Sequence, residues 1–341
     1  KHPMKKRLMD LGKLANQLKK RGKLKQAEET YKELLNLDPY NTYALVGMGD
    51  LKRRARAFDA AIGFYRECLS VERDNWHALV GLGDAYRGLM NLDEALSAWY
   101  RCLKLRPHDH KTMTRVADCL KRKGEFEASK KYYVMALEMS PRDPYALMGM
   151  GHIAAREKDY EGALDFFQRV LEVSPRSVIA LTAAANIHRK RRDFKEAIAL
   201  YDHALKINPR NSHAWHGKAD CLRGKKEYTS AIGAWNRALE NGMDRRVGLS
   251  RIGDSYIRLN DLSMAETNYK KAMAIGYDKY AFLGISKIHE MRGQPEKAIE
   301  ILSMLVRKEP KDPRIYVESR KFVNKYPDMV KTFSMSDGTD T

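Results

Sequence analysis

Gly49, Gly83, Ala117, Gly151, Ala185, Ala219 and Gly253 stand 34 residues apart. One step back from Gly49 reaches Ala15, and a step of 33 beyond Gly253 reaches Ser286, so every residue of the series is small. A small residue at constant spacing marks a close-packing position in a structural unit that recurs along the chain. Two further columns keep the same period. Twelve residues after each small residue stand Ala27, Ala61, Ala95, Ser129, Ala163, Ala197, Ala231, Ala265 and Ala298. Four residues further on come Tyr31, Tyr65, Trp99, Tyr133, Phe167, Tyr201, Trp235, Tyr269 and Leu302.

This recurrence decides a local ambiguity. The stretch "ALVGMGDLKRR" (44–54), a GxG followed by basic residues, has the outline of a phosphate loop. Such a loop occurs once and needs a strand before it and a helix after it. Here related versions return at 78–88, 146–156 and 248–258, so the glycines are read as packing positions. Around them apolar residues recur at i, i+3, i+4 and i+7, as in "LGDAYRGLMNLDEALSAWYRCL", which is a helical spacing. A break at Gly22, Asn91, Gly124, Asp159, Asp193 or Gly293 divides a unit into two helices of about a dozen residues. Pro39, Pro107, Pro141, Pro175, Pro209 and Pro310 close most units.

Leu79, Leu82, Gly83, Tyr86, Ala95, Trp99 and Pro107 fall on the skeleton of the tetratricopeptide repeat, with Leu in its Trp slot, and the chain resembles that family over nearly its whole length. It departs mildly at Lys218, where the motif has Leu, and at Arg73, Met243 and Tyr277, where it has Pro. The resemblance implies an all-α fold, an α-solenoid superhelix of nine helix-turn-helix units: 8–41, 42–75, 76–109, 110–143, 144–177, 178–211, 212–245, 246–278 and 279–312. One helix pair cannot bury its apolar face alone, so neighbours must stack and the open ends must be covered. Residues 313–327 are expected to form the C-terminal capping helix, with Ile315, Tyr316, Phe322, Val323 and Tyr326 on the last repeat and Arg314, Glu318, Arg320, Lys321 and Lys325 in water. Residues 1–7 are expected to be a basic tail and 328–341 a flexible one.

Catalytic signatures are missing. His289-Glu290 begins a zincin-like motif, but Gly293 stands where the second His belongs. Cys68 and Cys102 share one small-residue slot and Cys119 and Cys221 another, which is the pattern of buried thiols replacing Ala. His213, His216 and Asp220 share a helix face and could ligate a divalent metal. The same slots hold Tyr43, Val46 and Asp50 in one unit and His77, Val80 and Asp84 in another, so the face is read as solvated. No enzyme, cofactor or metal is expected. No apolar run approaches the ~20 residues of a membrane span, and "KHPMKKRLMDLGKL" lacks the apolar core of a secretory signal. The chain begins at Lys1, so an upstream segment is expected to have been removed; the cysteine usage points to a reducing compartment, the cytoplasm.

What remains is surface. In the family, positions 2, 5, 9, 12 and 13 of each unit line a concave groove. Position 2 holds Tyr43, His77, Lys111 and Tyr145 among others; position 9 holds Asp50, Asp84, Asp118 and Asn186. Positions 12 and 13 include Arg53, Arg54, Arg87, Lys121, Arg122, Arg156, Arg189 and Lys190. Twelve of the eighteen slots at these two positions are basic, in a chain of net charge +19. Asp50, Asp118 and Asp220 precede Arg53/Arg54, Lys121/Arg122 and Arg223 by three or four residues, so part of this charge is expected to be neutralised within each helix.

Basic, aromatic and apolar positions together point to a non-enzymatic protein-interaction scaffold. Its groove would take an acidic, partly apolar peptide or partner, or would serve self-association into a homo-oligomer. The slots where chaperone-type members of the family carry Lys and Asn hold Val46/Asp50 and Val80/Asp84, which argues against binding of a C-terminal tail. Two alternatives stay open: nucleic-acid binding, favoured by the charge and opposed by the groove aspartates, and a role as the accessory domain of a larger enzyme.

Overall fold

The computed structural model describes residues 2–332. Among them are nineteen α-helices, one 3-10 helix and no strand, divided between two units that part at Val173 and Ser174. The first unit holds five antiparallel pairs: α1 (His2–Lys20) with α2 (Leu24–Leu37), α3 (Thr42–Arg54) with α4 (Phe58–Val71), α5 (Trp76–Gly88) with α6 (Leu92–Leu105), α7 (His110–Lys123) with α8 (Phe126–Met139), and α9 (Pro144–Arg156) with α10 (Tyr160–Val173). The second holds α11 (Val178–Arg191) with α12 (Phe194–Ile207), α13 (Ser212–Gly224) with α14 (Tyr228–Glu240), α15 (Arg245–Arg258) with α16 (Leu262–Ile275), α17 (Lys279–Met291) with α18 (Pro295–Lys308), and a last helix α19 (Pro313–Lys325).

Each first helix from α3 onward starts on a capping residue: Asn41, Asn75, Asp109, Asp143, Ser177, Asn211, Asp244 or Asp278, and Asp312 does the same for α19. The side-chain oxygen accepts a backbone N–H of the first turn, as Asn75 does from Ala78 at 2.9 Å. Such a cap stabilises a helix by about 1 kcal/mol. Each first helix ends on a residue in the left-handed region: glycine at Gly22, Gly124 and Gly293, but Arg56, Met90, Lys158, Arg192, Lys226 and Asn260 elsewhere. The next N–H then closes back five residues, as from Ala57 to Lys52 O at 2.9 Å, which satisfies a carbonyl the helix end would orphan.

The core of each unit is built from rings on glycines. Tyr65 of α4 is fully buried between Gly49 of its own pair and Gly81 of the next; a Cβ there would lie 2.5 Å and 2.3 Å from the ring. Tyr133 against Gly149, Tyr201 against Gly217, and Tyr269 against Gly253 and Gly284 repeat the arrangement. The 34-residue column of small residues is thus the imprint of ring thickness on the first helix.

The ends differ from expectation in three respects. Residues 2–7 belong to α1 rather than to a tail. Residues 327–332 form the 3-10 helix Pro327–Thr332, while 333–341 of the expected tail lie outside the described residues. The capping helix ends at Lys325, and Tyr316 is 57% exposed rather than packed on the last repeat. The buried stripe of α19 is Ile315, Ser319 and Phe322, spaced i, i+4 and i+7; Tyr316 lies a residue off it and accepts from Arg320 at 2.6 Å. Tyr326 and Met329 also pack on the Ile299–Leu302–Phe322 cluster, and Lys325 binds Glu290 of α17 at 2.6 Å.

Candidate partner-binding face

Within each unit first helices also touch one another, α3 against α1 and α5, α7 against α9, α11 against α13 and α15 against α17. The residues of positions 2, 5, 9, 12 and 13 therefore come together on neighbouring first helices. At position 2 Tyr43 and Tyr280 are half exposed, Tyr145 is 75% and Ile179 67% exposed, and His77, Lys111 and His213 are exposed too.

In four repeats position 9 is hydrogen-bonded to the core ring of its own pair. The Tyr65 hydroxyl donates to Asp50 Oδ1 at 2.8 Å, Tyr201 to Asn186 Oδ1 at 2.6 Å and Tyr269 to Asp254 Oδ1 at 2.6 Å; Tyr133 does the same to Asp118. Where the ring has no hydroxyl the partner changes. His152 faces Phe167 edge-on at 5.5 Å, and Lys287 occupies position 9 in the unit of Leu302. Asp84, in the unit of Trp99, takes Arg115 Nε of α7 at 3.1 Å. Of the aspartates expected as groove residues, Asp50 and Asp118 are thus acceptors for a core ring, while Asp84 serves arginines of three first helices. The correlated change of two columns fifteen residues apart was visible in the sequence and is the signal that would have found this.

The basic stripe resolves into two rows. Position 12 is paired. Lys19 binds Asp50 at 2.9 Å, Arg53 lies between Asp50 at 3.7 Å and Asp84 at 3.5 Å, and Arg87 binds Asp84 at 3.3 Å. Lys121 binds Asp118 at 3.3 Å, Arg189 reaches Asp220 of the next first helix at 2.6 Å, and Arg223 binds Asp220 at 3.3 Å. The intrahelical pairing of Asp50, Asp118 and Asp220 is present as expected, and three of the seven contacts cross between helices. Position 13 is different. Among the described residues Lys20, Arg54, Arg122, Arg156, Lys190 and Arg258 have no carboxylate partner. Arg54 donates to Lys19 O at 3.4 Å and Arg156 lies 3.6 Å from the centre of the Phe126 ring, so their positive charge is not neutralised.

The second unit has two recesses on its own first-helix face. One, about 380 Å³, lies between α11 and α13 and is bounded by Ile179, Thr182, Asn186, Arg189, His213 and His216. The other, about 280 Å³, lies between α15 and α17 and includes Val247, Arg251, Asp254 and Tyr280. Asn186, Arg189 and His213 were legible in the sequence as face residues, and the metal reading of His213 and His216 was set aside there for a solvated face. Among the described residues no three His, Cys, Asp or Glu side chains converge on a metal position. His216 Nε2 stands 3.6 Å from Asp220 Oδ2, and burial holds its imidazole below the usual range. All four cysteines are buried, and burial pushes the thiol of Cys102 up to about 12 and those of Cys68 and Cys221 to about 11, so these three offer no thiolate at neutral pH. No helix among the described residues is long and apolar enough to cross a membrane.

Paired helices on a 34-residue period, ring-on-glycine packing and an exposed first-helix face define a helical repeat protein. Models of the tetratricopeptide repeat match residues 46–110, 110–143, 144–210, 182–245, 249–275 and 280–312, and the chain belongs to that family. No curated protein matches its sequence. Among solved structures it is similar to pilF of Pseudomonas aeruginosa at 17% identity and a TM-score of 0.53, over 59% of this chain and 91% of that one. A tetratricopeptide repeat protein from Parabacteroides merdae is similar at 20% identity and 0.47, over 86% and 99%. YrrB, described as having an unusual peptide-binding site, is similar at 20% and 0.45, over 56% and 98%. At these identities the likeness to pilF is one of fold.

Proposed function

We propose that the chain is a non-enzymatic scaffold whose first-helix faces bind a protein partner through an acidic, partly apolar segment. The observation that carries this reading is the separation of the two basic rows: position 12 is spent on internal carboxylates, while position 13 is left unneutralised at the ends of the first helices whose opening turns expose Tyr43, Tyr145 and Ile179. A surface cation retained without a partner adds nothing to folding and is available to steer an acidic ligand. Proteins with such arrays generally bind proteins or peptides, and the exposed aromatics supply the anchor that a charge stripe lacks.

The test compares two double charge reversals in a pull-down from native lysate, with and without nuclease. Arg54→Glu with Arg122→Glu should abolish capture of the partner and leave the thermal midpoint unchanged. Arg53→Glu with Lys121→Glu should lower the midpoint, because it breaks internal pairs. Capture unaffected by the first reversal would remove the reading. Loss of every captured species on nuclease treatment would show that the row reads phosphate instead.

A further inference from the structure

The two recesses of the second unit occupy equivalent places but differ in charge. The one between α15 and α17 carries Asp254, Asp278 and Glu309 opposite Arg246, Arg251 and Lys279. The one between α11 and α13 has no acidic residue in its lining. Its polar groups are also turned one way. Asn186 Oδ1 accepts from the Tyr201 hydroxyl at 2.6 Å and from Arg189 Nη2 at 3.5 Å, and Asn211 Oδ1 caps α13 by accepting from Ala214 N at 2.8 Å. Both amides thus spend their oxygens on the protein and keep their NH₂ groups unbonded. Arg189 gives Nη1 to Asp220 at 2.6 Å and leaves Nε buried without a partner, and His216 Nδ1 is in the same condition. Both nitrogens lie below the surface, so an entering group would meet the two amide NH₂ groups, with the Arg189 guanidinium contributing its charge from behind. Beside them Ile179 offers an exposed apolar surface.

Unspent donors, no carboxylate and an apolar wall are complementary to an acid next to an apolar side chain. We propose that this recess holds the side-chain carboxylate of an Asp or Glu in a bound peptide, with the adjacent apolar residue on Ile179, and that His216 takes up a proton as the carboxylate enters. This rests on the scaffold reading and names what one of its recesses selects. The proton follows from the charges around the imidazole. His216 faces Asp220 and His213 of its own helix, Arg189 of α11 and Arg251 of α15. Asp220, 3.6 Å from the imidazole, is shared with Arg189 and Arg223, so it supplies His216 only part of a counter-charge. A second carboxylate supplies the rest and favours the imidazolium. No metal or covalent step is involved; one proton moves from solvent to His216.

The experiment uses the full chain with ¹³C-labelled histidine, observed by NMR during titration with acetyl-Leu-Glu-amide or acetyl-Leu-Gln-amide to about 50 mM, where millimolar binding still registers. Expected is a saturable shift of the His216 and His213 signals with the Glu peptide alone. Its affinity should be about threefold or more tighter at pH 6 than at pH 8, by linkage to the proton taken up. His216→Gln should keep the fold and lose that pH dependence. Equal shifts with both peptides, no shift with either, or a pH dependence surviving His216→Gln would each overturn the proposal. If the titration fails while Arg54 and Arg122 remain necessary for capture, the recess assignment falls and the scaffold reading stands; if both fail, both fall.

Discussion

Tyr65 and Trp99 fill the same slot in adjacent repeats and are held in different ways. Tyr65 lies between two glycines, and its hydroxyl binds Asp50 within its own helix pair. Trp99 lies on Gly83, and its indole Nε1 has no hydrogen-bond partner. The carboxylate that a tyrosine would have engaged, Asp84, is only 8% exposed and is reached instead by Arg115, standing where the preceding repeat has Gly81. A bond inside one repeat has become a charged bond between two repeats. Trp235 follows only in part: its Nε1 is also unbonded and Arg251 occupies the matching position, but Asp220 takes its partner between repeats from Arg189 of the preceding first helix. The comparison teaches that the acid at position 9 persists when the core ring loses its hydroxyl and finds its partner in a neighbouring repeat, so a period alone does not say which partner a polar residue serves.

The largest effect should come from closing the space under a ring. Gly81→Val would set a branched side chain where even Cβ lies 2.3 Å from Tyr65, and a loss of more than about 3 kcal/mol is expected in urea unfolding. Gly63→Ala, with nothing within 4 Å of its Cβ, should instead gain about 0.5–1 kcal/mol. Equal effects at the two glycines would break the ring-on-glycine account.

Asp84→Ala comes next, at about 2–3 kcal/mol, because it leaves Arg53, Arg87 and Arg115 facing one another without their shared carboxylate. Arg115→Met in that background should recover part of the loss in a double-mutant cycle; strict additivity would show that the bond between repeats contributes nothing.

Tyr269→Phe should cost about 1–2 kcal/mol by stranding Asp254. Burial already raises the Asp254 carboxyl above its ordinary range, against the opposing bond from Tyr269. A carboxyl raised on folding subtracts stability above its folded pKa, and the penalty fades as pH falls toward the unfolded value. Asp254→Asn keeps the acceptor, as Asn186 does for Tyr201, so it should raise the thermal midpoint at pH 7 and lose that advantage in acid. An advantage that persists or grows in acid would contradict the burial argument.

The smallest effect is expected at the turns. Lys226 stands at φ 65°, in a slot where other repeats use Gly22, Gly124 and Gly293, and Lys226→Gly should stabilise by about 0.5–1 kcal/mol. A loss there would mean that the entropy of glycine in the unfolded chain outweighs the strain relieved.

Much of this could be read before any coordinates. The period, the helix pairs, the small residues, the rings and the pairs Asp50–Arg53, Asp118–Lys121 and Asp220–Arg223 all follow from spacing along one helix, and 3.6 residues per turn decides which side chains share a face. Even the acid-to-ring correspondence was latent there, in the coincidence of Phe167 with His152 and of Leu302 with Lys287. Other features depended on how one helix sits on the next. Positions 12 and 13 are neighbours with the same charge, yet Arg53 turns toward Asp84 of the following helix while Arg54 does not. Tyr316 and Ile315 are adjacent and both apolar, yet only Ile315 meets the last repeat. The donors gathered between α11 and α13 come from residues more than twenty positions apart. Local periodicity assigns residues to faces through backbone geometry; which face meets which, and which nitrogen is left without an acceptor, is decided only when the helices pack.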